Sequence, residues 1–223
     1  MLLRSINRVN GAFILISFLY LLAGCNKPNE KHVSLENLVV KNDTVIVDCN
    51  YTFEEAVAGC NAPQQIIDEL ELIDVNYYST DNKLHAGQIV VNRQIAHKLK
   101  LIFSYILKKR FPIHQVIPIV RYNWSDTLSM NANNSYCFCY RDVSYSKHAR
   151  GLAIDINPFF NPVRWKGNYV YVRQNLPKGA HYNPLVPGTF SSSSEVVHQF
   201  KVHGFRWGHG FSRNFDDHHF ELR

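Results

Sequence analysis

The stretch GLAIDIN, residues 151–157, constrains this chain more than any other, because it places an aspartate inside an apolar strand-like run. Side chains alternate between the two faces of a strand, so the large apolar residues share one face and Asp155 shares the other with Gly151 and Ala153. These small neighbours leave a space in front of the carboxylate. A buried carboxylate without a partner costs several kcal/mol. The sequence therefore predicts a compensating group: a basic side chain, a hydrogen-bond network or a metal ion.

A histidine in the preceding glycine-containing loop is the first candidate partner. His148 lies seven residues before Asp155 and would border the same space. A histidine and an aspartate that open onto one small-walled space match two of the three protein ligands of a catalytic zinc site. The alternative for this pair alone is structural, either a direct Asp–His hydrogen bond or an aspartate that caps a turn.

The C-terminal stretch DDHHFEL, residues 216–222, offers further ligands. If HHFEL forms a strand, His219 and Glu221 share one face of it. His218 and Phe220 would then share the opposite face. The third zinc ligand is therefore expected among the histidines at this end of the chain.

The same stretch offers a catalytic base. A metal-bound water needs a base within hydrogen-bond reach, and Asp216, three residues before His219, can approach that water without binding the metal. Asp217 is the rival for this role. His209 and His218 are rival ligands, and we expect both to lie outside the coordination sphere.

Together these residues resemble the zinc D,D-peptidases of bacterial cell walls. The resemblance rests on two motifs, Ser146-x-His148-x-x-Gly151-x-Ala153-x-Asp155 and Asp216-x-x-His219-Phe220-Glu221. That family includes D-alanyl-D-alanine carboxypeptidases and dipeptidases of the vancomycin-resistance type and phage L-alanyl-D-glutamate endopeptidases. More loosely, the resemblance extends from about Cys60 to the C-terminus.

The resemblance implies a metal site and a base. It implies zinc bound by His148, Asp155 and His219, with water in the fourth position and Asp216 as the general base. The fold is expected to be α+β, with a small antiparallel sheet that bears the site and helices packed on it. The resemblance narrows this to the fold shared with hedgehog-type zinc peptidases.

The resemblance also implies a substrate, a peptide bond in peptidoglycan stem peptides. Arg141, upstream of the first motif, would contact the substrate carbonyl or carboxylate, and Ser146 is also assigned to substrate binding. Ser146 is expected to be a loop hydrogen-bonder rather than a nucleophile. D-alanyl-D-alanine carboxypeptidase activity is the first expectation. The alternatives are an L-alanyl-D-glutamate-type endopeptidase, a lipoprotein that binds peptidoglycan peptides without cleaving them, and a structural zinc module with four protein ligands.

Residues 1–24 are predicted to be a secretory signal. They carry Arg4 and Arg8 and no acid, followed by the apolar run GAFILISFLYLLAG, which is the order of regions in a signal peptide. The end of this run, Leu-Ala-Gly-Cys25, resembles the lipobox of bacterial lipoproteins. An uncleaved membrane anchor is the alternative. We therefore expect a cell-envelope protein, lipid-anchored to a bacterial membrane through Cys25, with its domain outside the cytoplasm.

The rest of the chain is predicted to comprise a polar tether, residues 25–36, and one zinc peptidase domain, residues 37–223. Without residues 1–24, 22 Lys+Arg stand against 18 Asp+Glu, a net charge of +4. No cluster of basic residues indicates nucleic-acid binding, and we expect a monomer. Disulfides are permitted outside the cytoplasm, but the sequence does not choose a pairing among Cys49, Cys60, Cys137 and Cys139.

Local patterns predict several elements. The capping-box pattern TFEE at 52–55 predicts a short helix, and an apolar stripe predicts a longer one from about Asn92 to Phe111-Pro112. Ser194 is expected to cap a helix over 195–203. QVIPIVRY, residues 115–122, is predicted to be an edge strand, and residues 37–47 a small hairpin.

Overall fold

The computed structural model describes residues 44–143, 145–171 and 173–223. The predicted signal, Cys25, the tether and the first arm of the predicted hairpin lie outside these ranges. No helix within them is long and apolar enough to cross a membrane.

The α-helices are α1 (Phe53–Ala56), α2 (Gln64–Ile67), α3 (Arg93–Lys108), α4 (Asp126–Asn131) and α5 (Glu195–Val202). The strands are β1 (Ile46–Val47), β2 (Leu70–Tyr78), β3 (Leu84–Asn92), β4 (Gln115–Val116), β5 (Asn134–Ser135), β6 (Ala153–Asp155), β7 (Val163–Trp165), β8 (Phe205–Trp207), β9 (Asn214–Asp216) and β10 (His219–Leu222). Short 3-10 helices span Ile119–Tyr122, His148–Arg150, Gly167–Tyr171 and Gly208–Gly210.

The first half of the domain is built on the β2–β3 hairpin. These antiparallel strands are joined by β1, which pairs in parallel with β3. Helix α3 follows β3 directly, because Asn92 ends the strand and its side chain accepts a hydrogen bond of 3.0 Å from Gln94 N at the start of the helix. The predicted helix is confirmed, although it ends at Lys108, before Phe111. Its apolar stripe is buried in the main core, through Ile95, Leu99, Ile102, Phe103 and Ile106.

The second half contains a small antiparallel sheet of order β6–β10–β8. One face of this sheet joins the same core as α3 and α5, with Phe220 of β10 stacked on Phe200 of α5 at 3.9 Å between ring centroids. Ile154 and its apolar neighbours in GLAIDIN lie on that face, as the alternation predicted. The expected mixture of helices and small sheets is confirmed, and Asp155 is left on the face opposite the core.

The predicted strand over residues 115–122 is wrong beyond its first two residues. Only β4 is extended there, and after Pro118 the chain forms the 3-10 helix Ile119–Tyr122. Proline has no N–H to donate to a strand ladder, and its fixed φ suits the start of a helix. The capping box at Thr52 is present in full, with both reciprocal hydrogen bonds. Ser194 precedes α5 as predicted, but its side chain makes no capping hydrogen bond.

Two asparagines fasten the long segment between β6 and α5 to the sheet. The Asn161 side chain accepts a hydrogen bond of 2.6 Å from Phe190 N and donates one of 3.0 Å to Gly188 O. Asn157 donates to Gly188 O and to Pro112 O. These bonds give a structural role to Asn157 and Asn161, each of which is followed by a proline in the stretch after the first motif. The cysteines in the described part of the chain are free thiols, Cys49, Cys60, Cys137 and Cys139.

Candidate metal centre

The three predicted ligands meet where two neighbouring strands pair. His148 begins a 3-10 helix, Asp155 ends β6, and His219 begins β10. In the antiparallel register His219 lies directly opposite Asp155. Directly opposite side chains leave the same face of a sheet, so the pairing brings these two together on the face opposite the core.

The turn that presents His148 requires the glycine of the first motif. Gly151 has φ +65°, in the left-handed region that favours glycine. A Cβ atom at Gly151 would also come within 2.8 Å of Asn92 N and of Leu70 Cδ2. The motif spacing therefore reflects a tight passage of the chain against β2 and β3 before it enters β6.

The three ligand atoms form a nearly equilateral triangle. His148 Nε2 lies 3.1 Å from Asp155 Oδ1 and 3.0 Å from His219 Nδ1, and the third edge, His219 Nδ1 to Asp155 Oδ1, is 3.0 Å. All three residues are buried. Tetrahedral zinc with ligand distances of about 2.0–2.1 Å separates its ligand atoms by about 3.3 Å. The triangle is within a few tenths of an ångström of that spacing.

The outer nitrogens of the two histidines fix which atoms face the triangle. His148 Nδ1 lies 2.6 Å from the Cys137 carbonyl oxygen, to which it donates, so Nε2 presents a lone pair. His219 Nε2 donates to Glu221 Oε2 at 3.1 Å, so Nδ1 presents a lone pair. Glu221 is in turn paired with Arg206. With Asp155 Oδ1, three potential acceptor atoms converge, and either a proton on His219 or a metal ion between them would offset their mutual repulsion.

The electrostatics of the buried carboxylate agree with a positive charge at this position. Burial opposes ionisation of Asp155, but His148, His218 and His219 overcome it and hold its pKa well below the usual range. Burial lowers the pKa of His219, whereas hydrogen bonds to Asp155 and Glu221 raise it, and the result is about 10. A metal ion that binds here replaces a proton as the compensating charge. The residues present therefore fit zinc, which His148, Asp155 and His219 would hold.

The predicted base lies beside the triangle. Asp216 ends β9, and its Oδ1 is enclosed at 3.0 Å from His218 Nε2 without forming a hydrogen bond within the described structure. The side chain as a whole is 20% exposed, so water can reach the carboxylate. Burial raises the pKa of Asp216, and the opposing effect of the neighbouring His218 and His219 does not fully offset it. An under-satisfied carboxylate with a raised pKa is suited to accept a proton.

Asp217, the rival base, is held on another side of the turn. Its Oδ2 accepts hydrogen bonds from Arg164 at 2.7–2.8 Å, and its Oδ1 lies 2.6 Å from His209 Nδ1. His209 stacks on Trp207 at 4.4 Å between centroids. Both oxygens of Asp217 are thus engaged in a buried ion-pair network, which gives Asp217 and His209 structural roles.

The predicted position of His218 on the Phe220 face of a strand is wrong. His218 lies in the two-residue turn before β10, where strand alternation does not apply. Its Nδ1 donates to Asn161 O at 2.7 Å, and its Nε2 faces Asp216 and, at 3.8 Å, Asp155 Oδ2. His218 is not one of the three triangle residues, but its Nε2 lies between the carboxylates of Asp155 and Asp216.

The two predicted substrate residues lie on the loop before the 3-10 helix. Arg141 Nη2 lies 3.3 Å from Asp126 Oδ2, and the Arg141 side chain is 39% exposed. Ser146 Oγ accepts a hydrogen bond of 3.3 Å from Ala149 N. This contact supports the start of the helix that carries His148, which is the loop role expected for Ser146.

The C-terminal part of the chain is similar to a known protein family. Residues 141–222 match the family model of D-alanyl-D-alanine carboxypeptidases. The matched stretch contains the whole triangle, Asp216 and Arg141, whereas the β2–β3 hairpin lies outside it. No curated protein and no solved structure matches the chain. The family match supports a metallopeptidase of this zinc-dependent type.

Sequence reasoning missed three residues that shape the site. The alternation of strand side chains puts Glu221 on the His219 face, and that shared face is the sequence signal for the contact between the two residues. Asp126 and Tyr136 were not singled out, because their contacts with the site cross long stretches of chain. No local pattern in the sequence indicates those contacts.

Proposed function

We propose that this protein is a zinc-dependent peptidase that removes the C-terminal residue from peptidoglycan stem peptides ending in D-alanyl-D-alanine. One observation carries the proposal. Three acceptor atoms converge at 3.0–3.1 Å beside Asp216, whose Oδ1 is buried without a hydrogen bond. A structural Asp–His pair needs neither a third acceptor nor an under-satisfied carboxylate nearby.

His148, Asp155 and His219 would hold the metal, which when bound polarises a carbonyl group and makes a coordinated water more acidic. Asp216 accepts a proton from the attacking water and then delivers it to the departing amine. Arg141 binds the substrate carboxylate or carbonyl oxygen. The outer hydrogen bonds of the two histidines keep their acceptor nitrogens directed at one point.

Two other functions remain as alternatives to this proposal. The aspartate at the base position resembles the L-alanyl-D-glutamate endopeptidases, so an internal bond of the stem peptide is the second candidate. A lipoprotein that binds peptidoglycan peptides without cleaving them is the third. Asp216 favours hydrolysis over simple binding, because a carboxylate that lies beside the candidate ligands and is 20% exposed can exchange a proton with water. Binding alone does not require such a group.

The test separates the base from the ligands. Asp216→Asn keeps shape and polarity but cannot accept the proton, so zinc content should stay near that of the parent while turnover falls by about 10²–10⁴-fold. His219→Ala should lose zinc and activity together. Asp68→Asn, at an exposed aspartate, is the control and should change neither. A fully active Asp216→Asn variant would exclude Asp216 as the base, and a fully active zinc-free protein would exclude metal catalysis.

The cellular setting is proposed on the N-terminal sequence alone. Lipidation of Cys25 would hold the domain at a bacterial membrane, outside the cytoplasm, where stem peptides are accessible. Cys25→Ser should abolish incorporation of labelled fatty acid and block processing by the lipoprotein signal peptidase. Equal labelling of the variant and the parent would contradict this assignment. The domain is proposed to act as a monomer.

A further inference from the structure

Asp126 links Arg141 to the metal centre through a continuous set of contacts. It is the first residue of α4, preceded by the N-cap Ser125, whose side chain accepts a hydrogen bond from Leu128 N. Asp126 Oδ2 lies 3.3 Å from Arg141 Nη2. Its other oxygen, Oδ1, accepts a hydrogen bond from the Tyr136 hydroxyl. The carboxylate therefore joins the two side chains.

Tyr136 is in turn fixed to two of the candidate zinc ligands. Its backbone exchanges two hydrogen bonds with Asp155, of 3.1 and 2.9 Å, and its ring centroid lies 5.2 Å from that of His148. The side chain is fully buried. The position of the Asp126 carboxylate is thus tied to the strand and the loop that carry the metal ligands.

Arg141 combines this fixation with accessibility. A guanidinium carries five N–H donors in a rigid fork, so the contact with Asp126 leaves donors for a ligand. The side chain is 39% exposed. An arginine held on one side and open on the other is suited to binding a carboxylate at a set distance from the metal centre.

We infer that Asp126, supported by the Tyr136 hydroxyl, is a positioning residue that aims Arg141 at the free C-terminal carboxylate of the substrate. The inference rests on the proposed function and adds the device that restricts cleavage to the last bond of a peptide. Asp126 does not touch the substrate. It acts through Arg141, and without it the guanidinium remains present but loses its fixed direction.

The test compares two substrates that differ only at the C-terminus, a stem-peptide mimic ending in D-Ala-D-Ala as the free acid and its C-terminal amide. In the parent protein kcat/KM should favour the acid by about 10- to 100-fold, the range for a hydrogen bond to a charged group. Asp126→Asn should reduce the acid-to-amide ratio of kcat/KM to about a third of the parent ratio or less, mainly by raising KM for the acid. Zinc content should be unchanged.

A double variant distinguishes positioning from a general structural effect. If Asp126 acts only through Arg141, then Arg141→Ala combined with Asp126→Asn should be no worse on the acid than Arg141→Ala alone. Tyr136→Phe removes only the hydroxyl and should shift the acid-to-amide ratio in the same direction, which provides a second test should Asp126→Asn fold poorly. Glu69→Gln disrupts an exposed 3.3 Å ion pair with Arg150 and should leave the ratio at the parent value.

Different experimental results would overturn the positioning role of Asp126 and the proposed peptidase function. A parent that cleaves acid and amide equally, or an Asp126→Asn variant that loses both activities in the same proportion, overturns the positioning role and leaves the hydrolase standing. Additive losses in the double variant overturn it as well. A zinc-loaded parent that cleaves neither peptide contradicts the proposed function itself and this inference with it.

Discussion

Glu221 should control how tightly the site holds zinc, although it is not a ligand. Its Oε2 accepts the hydrogen bond from His219 Nε2 at 3.1 Å, and its side chain is only 14% exposed. Glu221→Ala removes the acceptor, which frees the imidazole to rotate and to place its proton on the nitrogen that should bind the metal. Loss of such a partner costs about 10- to 100-fold in metal affinity, or about 1.4–2.8 kcal/mol.

The assay is competition for zinc against a chromophoric chelator at fixed pH, which needs no substrate. Glu221→Gln keeps an acceptor oxygen and should lose much less affinity than Glu221→Ala. Arg206→Ala removes the ion-pair partner of Glu221. The Arg206 side chain is 58% exposed. Because exposed ion pairs contribute about 0–1 kcal/mol, this variant should lose about fivefold or less. Parent affinity in Glu221→Ala would refute the reasoning, because the hydrogen bond would then play no part in presenting His219 Nδ1.

Two glycine substitutions test the close packing around the site and between β3 and β4. A Cβ at Gly208 would lie 2.7 Å from Asp216 O and 3.2 Å from His219 Cβ. Gly208→Ala should therefore displace Asp216, the candidate base, and lower turnover by about 10- to 100-fold. Unchanged kinetics would contradict this prediction. A Cβ at Gly87 would lie 2.2 Å from Val116 O, so Gly87→Ala should reduce the free energy of unfolding by about 1–3 kcal/mol, measured by urea denaturation. Gly210→Ala, whose Cβ would meet nothing within 4 Å, is the control for both and should behave as the parent.

The parts of the fold that the sequence predicts are those that local chemistry determines. The capping box at Thr52 and the apolar stripe of α3 each act within a few residues, so the structure reproduces both. The two faces of β6 follow from strict alternation, which left Asp155 with only small neighbours on its own face. Alternation also placed Glu221 beside His219, because both lie within β10.

Other features depend on contacts between distant parts of the chain. Residues 119–122 have the composition of a strand, but Pro118 precedes them and the chain enters a 3-10 helix instead. The parallel pairing of β1 with β3 joins segments about forty residues apart. Asp126 reaches the site only because α4 lies against Tyr136. A hydrogen bond between two side chains ten residues apart that do not share a helix or a strand has no periodicity by which it could be recognised.

The turn between β9 and β10 shows why four consecutive polar residues perform different tasks. β9 pairs with β7 and β10 with β6 and β8, so the chain passes from one sheet to another within two residues. Asp216 still belongs to β9 and lies beside the triangle. Asp217 pairs with Arg164. His218 Nε2 lies between the carboxylates of Asp155 and Asp216, and His219 is the first residue of β10 and lies opposite Asp155. A hairpin within one sheet would send alternate side chains to opposite faces, whereas this change of sheet sets the candidate base and a candidate ligand side by side.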